Sequence, residues 1–128
     1  MCGKILTLLV AVSVLFGVSA CGPSLAKRKD QSAIHYRLGV VHLNERNLAD
    51  ALNELTQAVK MYPDDPTYHN ALGLAYFAKG MNKEALASMD KALSIDREYS
   101  EARVNKSAVY IVEQRWPEAI DETKTALK

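Results

Sequence analysis

Residues 34–42 read Ile-His-Tyr-Arg-Leu-Gly-Val-Val-His, and residues 68–76 read Tyr-His-Asn-Ala-Leu-Gly-Leu-Ala-Tyr. A shift of 34 residues lays His35 on His69, Leu38 on Leu72 and Gly39 on Gly73. The same shift carries Ala51 onto Ala85 and Ala119, Leu52 onto Leu86 and Ile120, Ala58 onto Ala92 and Ala126, and Val59 onto Leu93 and Leu127. No insertion or deletion interrupts the register. A fixed period of this length means one supersecondary unit stacked on copies of itself.

The register has Leu-Gly early, a mid-repeat Ala, a second small residue seven positions later, and Pro63 near the end. It resembles the tetratricopeptide repeat (TPR) family over Ser32 to Lys128. The resemblance implies an all-α superhelix of three helix-turn-helix repeats, at 32–65, 66–99 and 100–128.

Each residue type has a physical reason to be where it is. A helical hairpin cannot bury its apolar faces alone and must stack. Gly39, Gly73 and the repeated alanines are small where helix axes cross. Ile34, Leu38 and Val41, and later Leu72 and Ala75, form the i, i+3, i+4, i+7 stripe expected to seal the first helix of each pair. Ala51, Leu52, Leu55, Ala58 and Val59 do the same for the second. Asp65-Pro66 and Trp116-Pro117 are helix entrances, while Arg46-Asn47 and Gly80 mark turns inside repeats. The third repeat departs from the pattern: Lys106 and Ser107 replace Leu and Gly, and Thr123 stands where Leu55 and Met89 stood. It also lacks the polar capping helix that solenoids use. Either the protein pairs through that end, or the array continues in a longer chain.

The resemblance also implies that the first helix of each pair lines a concave groove. Repeat one would contribute Tyr36, Val40, Leu43 and Asn44, and repeat two Asn70, Leu74, Phe77 and Ala78. Repeat three would contribute Glu101, Val104, Ala108, Ile111 and Val112. Family members that clamp a chaperone tail by its terminal carboxylate use Lys, Arg and Asn there, and only Asn70 is comparable. The expected ligand is therefore a peptide that buries apolar side chains, its backbone met by the two amides. Leu43, Leu74 and Ile111 serve equally well as packing residues between helices.

Catalysis and metal binding find no footing. His35, His42 and His69 follow the repeat rather than a ligand spacing, and there is no His-x-x-x-His and no cysteine pair beside them. Asp50, Glu84 and Glu118 recur with the period as first-turn charges favoured by the helix dipole. No phosphate-cradling glycine loop or nucleophile motif appears. The expectation is a protein without catalytic residues, metal or cofactor.

Outside the repeats, the N-terminus reads as an address. Lys4 precedes an apolar run from Ile5 to Ala20, shorter than the roughly 20 residues a spanning helix needs. Val18-Ser19-Ala20-Cys21 resembles the bacterial lipobox. That implies a signal peptide over 1–20, acylation of Cys21, and a flexible tether over 21–31 containing Lys27, Arg28 and Lys29. Gly22, rather than Asp, after the cysteine favours the periplasmic face of the outer membrane in a two-membrane bacterium. Only Cys2 and Cys21 exist, so removal of the signal leaves no cysteine pair for a disulfide. A formal net charge of +1 gives no electrostatic case for nucleic-acid binding. A lipobox followed by such repeats resembles the lipoproteins of type IV pilus biogenesis. The implied function is a membrane-anchored protein adaptor that assists an outer-membrane secretin, with a general periplasmic scaffold as the alternative.

Overall fold

A computed structural model of the protein describes residues 24–128. The expected signal segment and Cys21 lie outside the described residues. Six helices follow in order: α1 (Leu25–Asn44), α2 (Leu48–Met61), α3 (Pro66–Ala78), α4 (Asn82–Ile95), α5 (Ser100–Val112) and α6 (Trp116–Ala126). They pair as α1 with α2, α3 with α4, and α5 with α6, and α2 packs on α3 as α4 packs on α5. The first helices also touch each other, α1 to α3 and α3 to α5, whereas the second helices touch none of their own kind. First helices that converge and second helices that splay make α1, α3 and α5 the inner wall of a curved stack.

Local signals set the helix ends. The Asp65 carboxylate accepts from the Thr67 amide at 3.0 Å, with Pro66 at the first turn of α3; Pro needs no donor there and Asp satisfies one of the unpaired amides. Inside each repeat the turn closes through one left-handed residue: Arg46 (φ 59°), Gly80 (φ 80°) and Gln114 (φ 59°). These three stand 34 residues apart, and the amide that follows each reaches back to His42, Tyr76 and Tyr110 respectively.

The core lies between helices of a pair and between successive pairs. Ala51, Leu55, Ala71, Leu72 and Ala75 form one buried cluster, and Ala85, Met89 and Val109 a second. The glycines are needed for close approach. A Cβ built on Gly39 would stand 2.6 Å from Leu55 Cγ, and one on Gly73 would stand 2.9 Å from Met89 Cγ. In the third repeat the pair becomes Ser107 and Thr123, whose hydroxyls lie 2.8 Å apart, and Ser107 Oγ donates to the Ala119 carbonyl at 3.1 Å. The smaller Thr123 leaves room for the Ser107 side chain. Lys106, at the position of Leu72, is buried and bonded to Asp90 at 2.7 Å and Glu122 at 2.5 Å. Burial alone would lower its pKa, but hydrogen bonds to Asp90 and Glu122 outweigh that and hold it above the ordinary lysine value.

Two expectations are corrected. The flexible tether over 21–31 is helical from Leu25, because Ser24 caps α1 by accepting from the Lys27 amide and the residues that follow include good helix formers such as Leu, Ala, Lys and Arg. The stripe of Ile34, Leu38 and Val41 does not seal α1. Leu72 is 8% exposed but Leu38 is 45% exposed, since this position packs on the second helix of the preceding repeat and no described helix precedes α1.

Candidate docking groove

The inner wall is built around one buried amide. Asn70 of α3 is 2% exposed. Its Nδ2 donates to Glu101 Oε1 at 3.2 Å and reaches Tyr99 Oη at 3.5 Å, while its Oδ1 accepts from Asn105 Nδ2 at 3.0 Å. Tyr99 Oη in turn donates to Glu101 Oε2 at 3.3 Å. Four side chains from two repeats thus close a network across the α3–α5 contact. Beside it the Tyr36 ring of α1 stacks on Tyr68 of α3, with centroids 5.0 Å apart and planes at 27°. Ser32 Oγ meets the Tyr68 hydroxyl at 3.4 Å.

The electrostatics of this wall are acidic. Burial, and then the Glu101 carboxylate, push the Tyr99 phenol up to about 12. Burial raises Tyr36 as well, followed by the charges of Glu101 and Asp65. Both phenols therefore stay neutral donors through the physiological range. The network contains no Lys or Arg, so a ligand carboxylate would meet like charge, while an amide N–H or a cationic side chain would meet acceptors.

The expected groove residues divide into three groups. Tyr36, Val40 and Leu43 are half-buried against the first core cluster, and Leu74 and Phe77 against the second. Val104, Ile111 and Val112 are exposed, as are Asn44 and Ala78, and Ala108 is half-buried. Ile111 is drawn away into a separate cleft with Trp116, Ala119, Ile120 and Thr123. The expectation that Asn70 is available to a peptide backbone is corrected: its amide is already bonded to protein at both ends. Tyr99 and Asn105 are absent from the expected groove, because both act through Asn70, 29 and 35 residues earlier in the chain. Their sequence signal was Glu101 and Asn105 at i and i+4 on the inner face of α5.

Two of the three histidines are tied to neighbouring segments. His35 Nδ1 lies 2.7 Å from Glu54 Oε2 on α2, and buried His69 joins its Nε2 to the Pro63 carbonyl at 2.7 Å. Asp50, Glu84 and Glu118 each fall in the first turn of a second helix. Among the described residues no three His, Cys, Asp or Glu side chains gather as metal ligands, and no helix is long and apolar enough to cross a membrane.

A tetratricopeptide repeat profile matches residues 36–103. The chain belongs to the tetratricopeptide repeat family. Its fold agrees: the Arabidopsis OM64 TPR domain superposes with a TM-score of 0.74 at 21% identity, covering 78% of this chain and 83% of that one. The first TPR of Spaghetti (RPAP3), solved bound to the HSP90 peptide SRMEEVD, superposes with a TM-score of 0.74 at 18% identity, over 77% of this chain and 79% of that one. Among curated proteins, DnaJ homolog subfamily C member 3 of Mus musculus is 28% identical over 121 residues, 94% of this chain. The TPR chain described here spans only 23% of the length of that relative.

Proposed function

We propose that this protein is a non-catalytic adaptor, moored to a membrane through Cys21, that docks an extended segment of another protein along the inner wall of its TPR stack. The observation that carries this reading is the closed network of Asn70, Tyr99, Glu101 and Asn105, which fixes a preorganised wall spanning two repeats. Preorganisation lowers the ordering cost of binding. The solved RPAP3 domain, bound to a peptide ending in Glu-Glu-Val-Asp, supports a peptide ligand in general. The acidic wall here favours a different one, with apolar anchors beside Tyr36 and Val104 and a donor or cation opposite Glu101.

In this reading the segment docked belongs to the outer-membrane secretin of a type IV pilus system, and the lipid holds the adaptor on the periplasmic face of the outer membrane. Support comes from the lipobox-like Val18-Ser19-Ala20-Cys21 and from Gly22 after it. Two acyl chains or more make a stable anchor, and tethering raises the local concentration of the groove near its client. The test is recovery of the secretin with the full chain from detergent-extracted membranes of a piliated strain. Recovery that fails with Tyr36→Asp, and mislocalises with Cys21→Ala, supports the reading. A folded protein that recovers cell-wall enzymes or other envelope proteins instead would replace it with the general scaffold role.

A further inference from the structure

The inner wall gathers negative charge that no described cation answers. Asp65 stands at the entrance to α3 and Tyr99 at the entrance to α5, and Glu101 lies in the first turn of α5. Among the described residues no Lys, Arg or His forms an ion pair with Asp65 or Glu101, whereas Asp90, Glu113, Glu118 and Glu122 each have one. Both free carboxylates act on Tyr36 of α1: after burial, the charge of Glu101 and then that of Asp65 raise its phenol. The helix dipoles favour an acid at either place. They do not account for the way Glu101 is held.

Asn70 Nδ2 donates to one Glu101 oxygen at 3.2 Å and Tyr99 Oη to the other at 3.3 Å. A carboxylate offers about four acceptor sites, so about two stay open, and Glu101 is exposed to solvent. Its orientation is fixed while its acceptor capacity is only half used. Tyrosine rings complete the surroundings. Elsewhere the chain seats its own cations on such rings: Lys29 Nζ lies 5.5 Å from the Tyr62 centroid, and Lys106 Nζ and Arg115 Cζ lie 5.8 Å and 4.5 Å from that of Tyr110. No described cation sits over Tyr36 or Tyr99, which are both half-buried. Val104, one turn beyond Glu101 on α5, adds exposed apolar surface.

We propose that the segment docked on the inner wall carries an arginine, which seats on Glu101 beside the rings of Tyr36 and Tyr99 while an apolar neighbour covers Val104. This rests on the docking reading and narrows it to a basic partner. A guanidinium presents its donors in a planar fork that matches the two oxygens of a carboxylate, and it stacks on aromatic faces. Asn70 and Tyr99 hold that carboxylate before the ligand arrives, so less freedom is lost on binding. A segment rich in Asp or Glu is turned away by the same charges.

A displayed library of random short peptides, selected on the full chain in a non-ionic detergent, supplies probes without assuming their sequence. Selected peptides should carry Arg next to apolar residues. In the strongest of them, made with blocked ends, replacing that Arg by citrulline, its neutral isostere, should weaken binding about fivefold or more. Glu101→Gln should weaken the Arg peptide by a similar factor, and citrulline should then cost almost nothing further, because the two changes remove one interaction. Glu84→Gln, at an exposed carboxylate of α4, should leave binding unchanged, with circular dichroism checking that each variant folds. Selected peptides that lack Arg and are lost on Val104→Lys overturn the arginine but leave the docking reading standing. So do citrulline and Glu101→Gln losses that simply multiply. A library that yields no peptide sensitive to Val104→Lys overturns the docking reading and this inference with it.

Discussion

Leu55 closes over Gly39 so tightly that a single methyl group on the glycine would fall 2.6 Å from Leu55 Cγ and 2.8 Å from Cδ2. The contact is the crossing point of α1 and α2, and Leu55 is fully buried. Gly39→Ala should therefore cost about 1–3 kcal/mol through overpacking. Leu55→Ala alone should cost about 2–5 kcal/mol, and the double variant should cost less than the two added together, since each change makes room for the other. Urea unfolding of the four proteins measures the coupling, and simple additivity would count against the contact.

The three left-handed turn residues make a second, opposite prediction. A side chain at positive φ carries about 1–2 kcal/mol of strain, against a loss of about 0.5–1 kcal/mol for the extra freedom of glycine in the unfolded chain. Arg46→Gly and Gln114→Gly should each stabilise by about 0.5–1 kcal/mol, and Gly80→Ala should destabilise by a similar amount. Nothing lies within 4 Å of a Cβ built on Gly80, so a clash cannot account for that loss. Thermal melts distinguish the signs.

Lys106 replaces a core leucine by an ion pair. Its partner Glu122 keeps only 13% of its side chain exposed, whereas Asp90 keeps 59%. The Glu122 bond is thus the one that matters. Lys106→Met should cost about 1–3 kcal/mol by leaving Glu122 short of a partner, lessened by Arg103, which lies 3.2 Å from the same carboxylate. Adding Glu122→Gln should recover part of that loss. Because the folded pKa of Lys106 is raised, its contribution is complete below the ordinary lysine value and disappears only as the pH climbs through the folded one. Unfolding measured at neutral and at strongly alkaline pH checks the direction.

How much of this could be read beforehand depended on whether a residue's partner lies in its own repeat. Gly39 and Leu55, or Gly73 and Met89, meet within one hairpin, so period and residue size sufficed to place them. Leu38 looks identical to Leu72 in sequence, but its burial depends on a neighbouring repeat that is not its own. Asn70 reads as a free amide because Glu101 and Asn105 come from the next repeat and Tyr99 from the far end of its own. The helical start at Leu25 was hidden by the Gly-Pro-Ser stretch before it and by its charged first turns, which helix and leash share.

Tyr99 reports on the groove network directly. A phenol pushed up to about 12 by burial and by Glu101 contributes stability that is complete below its ordinary value near 10 and is lost as the pH rises to about 12. Glu101→Gln removes the charge but leaves the burial, so Tyr99 should then ionise at lower pH while remaining above the ordinary value. Nuclear magnetic resonance of the tyrosine ring carbons follows it. An unchanged titration would mean that Glu101 does not act on Tyr99.

The most direct measurement of docking on the inner wall is site-specific photocrosslinking in living, piliated cells. A crosslinking residue replaces Val104 on the exposed inner side of α5, and a control replaces exposed Lys91 on α4. Docking along the wall predicts a secretin adduct from position 104, none from position 91, and loss of the adduct when Tyr36→Asp is added. Adducts of equal yield from both positions, or none from position 104 in a folded and membrane-bound protein, would contradict it.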